Sequence, residues 1–101
     1  MPFACRIDAL TAEQRARRSQ LFAAILKMSQ HVHEMADGFA VELESGDEAW
    51  SAASEFVTLE RRCCPFLSFS LFATADGPAR LEITGGPGVK EFLALELFPI
   101  R

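Results

Sequence analysis

Apolar and polar positions alternate in several distinct rhythms along this chain, and each rhythm predicts an element. Thr11, followed three residues later by Gln14, is a capping-box pattern that opens a helix. Leu21, Ile25, Met28, Val32 and Met35 then recur at steps of four and three, one face of a helix, until Asp37-Gly38 supplies a stop. Such a helix would be roughly 35 Å long. Phe39, Val41 and Leu43 alternate with Ala40, Glu42 and Glu44, the period of a half-buried strand. After Gly46-Asp47, Trp50, Ala53 and Val57 lie on one stripe with Ala52, Phe56 and Leu59 beside it, a wide apolar face suited to packing on a sheet. Pro65 ends this second helix, because it lacks an N–H and disfavours the helical region for Cys64.

Phe66 to Thr74 reads as a strand with Leu67, Phe69, Leu71 and Ala73 on one face, and Ser68 and Ser70 on a wetter one. Asp76-Gly77-Pro78 turns the chain into a returning strand carrying Leu81 and Ile83. Gly85-Gly86-Pro87-Gly88 leads into a last helix with Val89, Phe92 and Leu93, closed by Pro99. Phe3 to Ile7 reads as a short leading strand. The order predicts an α+β, two-layer fold: a small, mainly antiparallel sheet of three or four strands covered by three helices. Phe66 and Phe72, on the sheet face away from the helices, predict a contact in a homodimer, since large exposed apolar groups mark association.

Composition narrows the function classes. At 101 residues the chain has the size of one domain spanning 1–101, large enough to bury roughly two thirds of its unfolded surface. Half of its residues are hydrophobic, which is incompatible with disorder. A net charge of −4 argues against a nucleic-acid footprint. No apolar run approaches a membrane span, and Met1 to Gln20 has no apolar leader core, so a cytoplasmic location without membrane attachment is expected.

The candidate chemistry lies in the cysteines. The chain has three, Cys5, Cys63 and Cys64, an odd number that cannot form a closed disulfide framework. Cys63 and Cys64 are adjacent at the junction of the second helix and the following strand. Thiolates are soft ligands, so such a pair favours zinc, copper(I) or a thiophilic metalloid, and Cys5 is the one candidate for a third sulfur. The spacing lacks the C-x₂₋₄-C of structural zinc sites. The negative end of a helix dipole should raise a thiol pKa, whereas Arg61 or Arg62 could lower it, with at most one of them facing the sulfurs. Metal binding or thiol sensing therefore fits better than nucleophilic catalysis. The competing reading treats the cysteines as small buried hydrophobes of a structural or interaction module.

The segment Leu59-Glu60-Arg61-Arg62-Cys63-Cys64-Pro65-Phe66-Leu67, with Leu81-Glu82-Ile83-Thr84-Gly85 and Gly88-Val89-Lys90-Glu91-Phe92-Leu93, resembles a group of small uncharacterised bacterial proteins. These pair an E-x-x-C-C-P-F segment with a C-terminal I-T-G-P-x-G-x-x-E-F-L segment, and Cys5 with Ala9-Leu10-Thr11 fits their opening. This chain carries an extra glycine before Pro87. The resemblance implies a bacterial, cytosolic protein and supplies no activity.

Other signals are weaker. On a helix, His31 and His33 would stand about 200° apart and could not share an ion, although His31 would join Met28 and Met35 in a soft stripe better explained as core. Pro2 would be an N-terminal amine after loss of Met1, as in the tautomerase superfamily, but that resemblance rests on one residue. Arg15, Arg17 and Arg18 read as a solvated face, and Gly85-Gly86-Pro87-Gly88 as a tight turn rather than an anion site, since Pro87 removes a donor.

Overall fold

The computed structural model describes residues 6–97, with Ile7 described by its backbone alone. A 3-10 turn at Ile7–Ala9 comes first, closed by the Ala9 N–H donating to the Arg6 carbonyl. The leading strand expected at Phe3 to Ile7 is thus replaced at its C-terminal end by a turn, and its residues 3–5 lie outside the described range. Helix α1, Ala12–Met28, opens with the predicted capping box, in which the Thr11 hydroxyl accepts from the Gln14 N–H and the Gln14 side chain accepts from the Thr11 N–H.

The expected long helix ends at Met28, seven residues before Met35, the last position of its expected face. Ser29 adopts extended backbone and its hydroxyl donates to the Leu26 carbonyl, and the chain continues as strand β1, Ser29–Met35. A two-residue turn at Ala36-Asp37 leads into strand β2, Gly38–Leu43. The physical reason lies in β2, whose residues are nearly all buried. Its backbone groups need partners on both sides, and β1 supplies those on one edge. Val32 and Met35 keep the helical rhythm of Leu21 and Ile25 only by coincidence of spacing: Leu21 and Ile25 are buried, whereas residues 30–34 are exposed. The soft Met28-His31-Met35 stripe dissolves with the helix.

Gly46, at φ 123° where side chains are rarely tolerated, turns the chain into helix α2, Asp47–Cys63. Strands β3, Ser68–Phe72, and β4, Arg80–Thr84, follow, then helix α3, Val89–Glu96. The four strands form one antiparallel sheet in the order β1-β2-β4-β3. This is the predicted α+β fold with three helices and a small sheet. No helix among the described residues is long and apolar enough to cross a membrane.

Register defines the two sheet faces. Val41 stands opposite Leu81, and Ile83 opposite both Phe39 and Phe69, so these side chains share one face. They join Leu21, Ile25, Ala53, Phe56 and Leu93 in one core. The other face is polar: Ser70 pairs with Glu82 across β3 and β4, and Arg80 bridges to Glu82 at 2.9 Å. The wetter face read from Ser68 and Ser70 is thus present. Phe72 is exposed there, whereas Phe66 packs edge-on against Phe92 at 5.2 Å. Trp50, placed on the apolar stripe of α2 by its spacing, is 38% exposed; the buried stripe runs through Ala49, Ala53, Phe56, Glu60 and Cys63.

Gly38 marks the closest approach in the sheet. A Cβ there would stand 2.0 Å from the Ile83 carbonyl oxygen, which is backbone and cannot swing aside. Gly38→Ala is expected to destabilise the fold by roughly 1–3 kcal/mol, read as a lower urea midpoint. A midpoint equal to that of the parent protein would contradict this register.

Candidate functional site

The end of α2 builds the site. Glu60, Cys63 and Cys64 stand at positions i, i+3 and i+4, the spacing that brings side chains to one helix face. Cys63 is the last helical residue, and Cys64 is its C-cap, donating its N–H to the Glu60 carbonyl. Pro65 follows where the helix stops, as its chemistry predicts. All three side chains are fully buried, and Glu60 is the one buried charged residue among those described.

Their geometry is tight. The sulfurs of Cys63 and Cys64 are 3.7 Å apart. The Cys63 thiol faces Glu60 Oε1 at 3.9 Å, and the Cys64 sulfur lies 3.4 Å from Glu60 Oε2. One ligand atom from each of the three residues falls within 4.8 Å of the others, so the cluster could hold a metal ion. Cys63 carries a free thiol, and Cys64 is disulfide-bonded.

Helix α1 supplies the countercharge. Arg18 reaches across the helix pair and donates from Nε to Glu60 Oε1 and from its NH2 nitrogen to Glu60 Oε2, the latter at 3.0 Å. A fork of two parallel N–H···O bonds is the arrangement in which a guanidinium best satisfies a carboxylate. The expectation of a solvated Arg15, Arg17 and Arg18 face holds for the exposed Arg17 and fails for Arg18. Arg18 is mostly covered, Arg17 pairs with Glu55 of α2, and Arg15 donates to the Leu10 carbonyl. Arg61 and Arg62, the expected cationic neighbours of the thiols, are both exposed. Stacking of Phe22 on Phe56, with ring centroids 5.5 Å apart, holds the two helices in register beside the pair. Arg18 and Glu60 also form the polar wall of a cavity of about 430 Å³ whose apolar lining includes Phe22, Leu26, Phe92 and Leu97.

Burial pushes the Cys63 thiol pKa up, and the Glu60 carboxylate pushes it further, with Arg18 opposing. The rise expected from the helix end is present, but its main cause is desolvation of the thiolate. The Arg18 guanidinium, held by Glu60, is raised above its already high value. The site thus keeps a protonated Cys63 beside a compensated ion pair, which is the opposite of an activated nucleophile.

Cys5 and Pro2 lie outside the described residues. Arg6, the residue after Cys5, donates its backbone N–H to the carbonyl of Cys63. His31 and His33 do not join the cluster. They lie two apart on β1, so they share a strand side with rings 5.7 Å apart, unlike the helical arrangement expected for them, and His33 Nε2 is 3.3 Å from Glu42. The Asp37 backbone carbonyl accepts the Gly85 N–H, and the Val89 N–H donates to the Gly86 carbonyl, so Gly85-Gly86-Pro87-Gly88 is a turn.

Comparison with protein-family models, with curated proteins and with solved structures finds no match for the chain. What fold and site define is a small α+β domain with a buried Cys-Cys-Glu cluster braced by an arginine from a second helix.

Two outcomes follow from the ion pair and the thiol. Arg18→Ala strands a buried carboxylate and is expected to cost about 2–3 kcal/mol, somewhat less than a fully buried pair because Arg18 keeps some contact with water. Pairing it with Glu60→Leu should recover most of that loss in denaturant titration. For Cys63, folding raises the thiol pKa above its ordinary value of 9.0, so the folded state holds a proton that the unfolded chain has released. Stability should therefore be unaffected by this group below pH 9 and fall as pH rises past it. In Cys63→Ala that alkaline loss should shrink, as followed by denaturation between pH 8 and 11.

Proposed function

We propose that the reduced protein is a binding module for a soft, thiophilic ion, with the Cys63 and Cys64 sulfurs as donors and Cys5 as the third. The observation that carries this reading is the buried carboxylate at 3.4–3.9 Å from two neighbouring sulfurs. Cysteines that merely fill a core need no polar group beside them, whereas both sulfurs here lie against the carboxylate of the Arg18–Glu60 pair.

Charge balance selects among the ions. Arg18 already engages both oxygens of Glu60, so the sulfurs are the available donors and the ion pair contributes no net charge. Three thiolates on a trivalent metalloid such as As(III) form a neutral unit, which a buried site tolerates. Three thiolates on Zn(II), or two on Cu(I), would leave an uncompensated negative charge in the same place. A trivalent metalloid is therefore the favoured class, ahead of zinc and copper(I). Zn(II) or Cu(I) would have to expel the protons of raised-pKa thiols, so their affinity rises with pH, whereas As(III), present in water as As(OH)3, takes each thiol proton away with a hydroxide as water and binds with little pH dependence near neutrality.

The test is native mass spectrometry of the fully reduced chain titrated with As(III), Zn(II) and Cu(I). One As(III) per chain is expected, with uptake lost in Cys63→Ser and in Cys64→Ser and little changed between pH 6 and 8, whereas any Zn(II) uptake should strengthen over that range. Absence of uptake for all three ions, with thiols that react with an alkylating reagent only after unfolding, would return the pair to the role of core residues.

A further inference from the structure

The two outermost strands of the sheet, β1 and β3, are built differently. An unpaired strand edge is a row of N–H and C=O groups that can template pairing with another chain, and proteins ordinarily blunt it with charges, prolines or bulges. Strand β1 is blunted. Its register shifts between Ser29 and His31, it carries two histidines, and its Glu34 pairs with Lys90 of α3 at 3.0 Å. Strand β3 has none of these devices. Ser68-Phe69-Ser70-Leu71-Phe72 is uncharged, holds no proline and keeps an unbroken register with β4 over all five residues. Among the described residues, no backbone group outside β4 bonds to it.

The side chains of β3 are left equally unfinished. Phe69 and Leu71 lie on the core face, opposite Ile83 and Leu81, yet are only half-buried at the margin of the sheet. Ser68, Ser70 and Phe72 are exposed on the outer face, Phe72 to 49%. We propose that β3 pairs antiparallel with β3 of a second copy of this chain, joining two four-stranded sheets into one of eight strands.

Register and symmetry fix the pairing. Side chains directly opposite one another in a ladder share a sheet face, so opposed positions must both be odd or both be even. A two-fold axis through Ser70 is the one such register that pairs all five residues. It sets Phe69 against the partner's Leu71, Ser68 against the partner's Phe72, and Ser70 against its own copy. The two cores then meet along a continuous apolar seam on the inner face. A second copy fits better than a foreign strand because this edge is self-complementary: a large side chain meets a smaller one at each pair beside the axis. No charge on it opposes the same charge, although the chain as a whole carries −4. Five paired residues make a seam shorter than the standard interface of roughly 1,200–2,000 Å², so association is reversible and depends on concentration.

Sedimentation of the full chain, kept reduced to exclude linkage through cysteines, tests the proposal. The mass should move from that of one chain toward that of two as concentration rises. Amide exchange over the same series should slow in residues 68–72 and stay constant in residues 29–35. Ser70→Lys sets two like charges across the axis, while Glu82, opposite Ser70 on β4, gives the new lysine a partner within its own chain. This variant should keep the parent's circular dichroism and associate more weakly by about tenfold or more. Gln30→Lys, exposed on β1, should associate as the parent does. A monomer at every concentration overturns the proposal. So does association undiminished in Ser70→Lys, or added protection that falls on β1 instead of β3.

Discussion

A carboxylate in a fully buried position constrains everything around it. Glu60 has no contact with water, so its charge must be met by protein groups, and it is met by the paired N–H donors of Arg18. That requirement sets the distance and rotation between α1 and α2, because the arginine fork reaches the carboxylate in only a narrow range of helix positions. The Phe22–Phe56 stack and the Arg17–Glu55 pair lie along the same seam and are compatible with that one arrangement. The cysteines inherit their environment from it. Their sulfurs lie against a compensated charge rather than in plain hydrocarbon, and this separates the cluster from an ordinary apolar helix end.

The sheet acts as the platform for this seam. Its inner face carries Phe39, Val41, Leu81 and Ile83 in register, and α2 and α3 lie against its strands. Its outer face carries a row of charges, with Arg80 between Glu42 and Glu82 and Glu42 also meeting His33. Exposed ion pairs of this kind contribute little to stability. Their effect is to keep the open face hydrated, while the buried pair on the helical side fixes geometry. The two polar systems therefore have different roles despite similar chemistry.

Chemically, the site combines features that pull in opposite directions. Soft sulfur donors favour a thiophilic ion, whereas burial and a neighbouring carboxylate disfavour the thiolates that such an ion requires. Under the proposed reading, only an ion that binds sulfur strongly enough to displace the thiol protons would be held. Selectivity would thus arise from the buried environment itself.

Local sequence determined much of the architecture. The Thr11–Gln14 capping box, the alternation through Phe39 to Leu43, the break at Pro65 and the Leu81–Ile83 strand each depend on neighbours within a few residues, and each stands where the pattern put it. The line-up of Glu60 with Cys63 and Cys64 was not among the sequence expectations, although i, i+3, i+4 spacing on one helix face carries the signal. Tertiary structure decided the rest. Residues 29–35 kept a helical rhythm yet became a strand, since the buried β2 needed a hydrogen-bonding partner on its free edge. Arg18 rather than Arg61 or Arg62 became the cation of the site, because the groups that meet a buried carboxylate are chosen by which helix packs over it. A one-dimensional pattern records which residues lie on one face of an element; what that face meets depends on contacts between residues far apart in the chain.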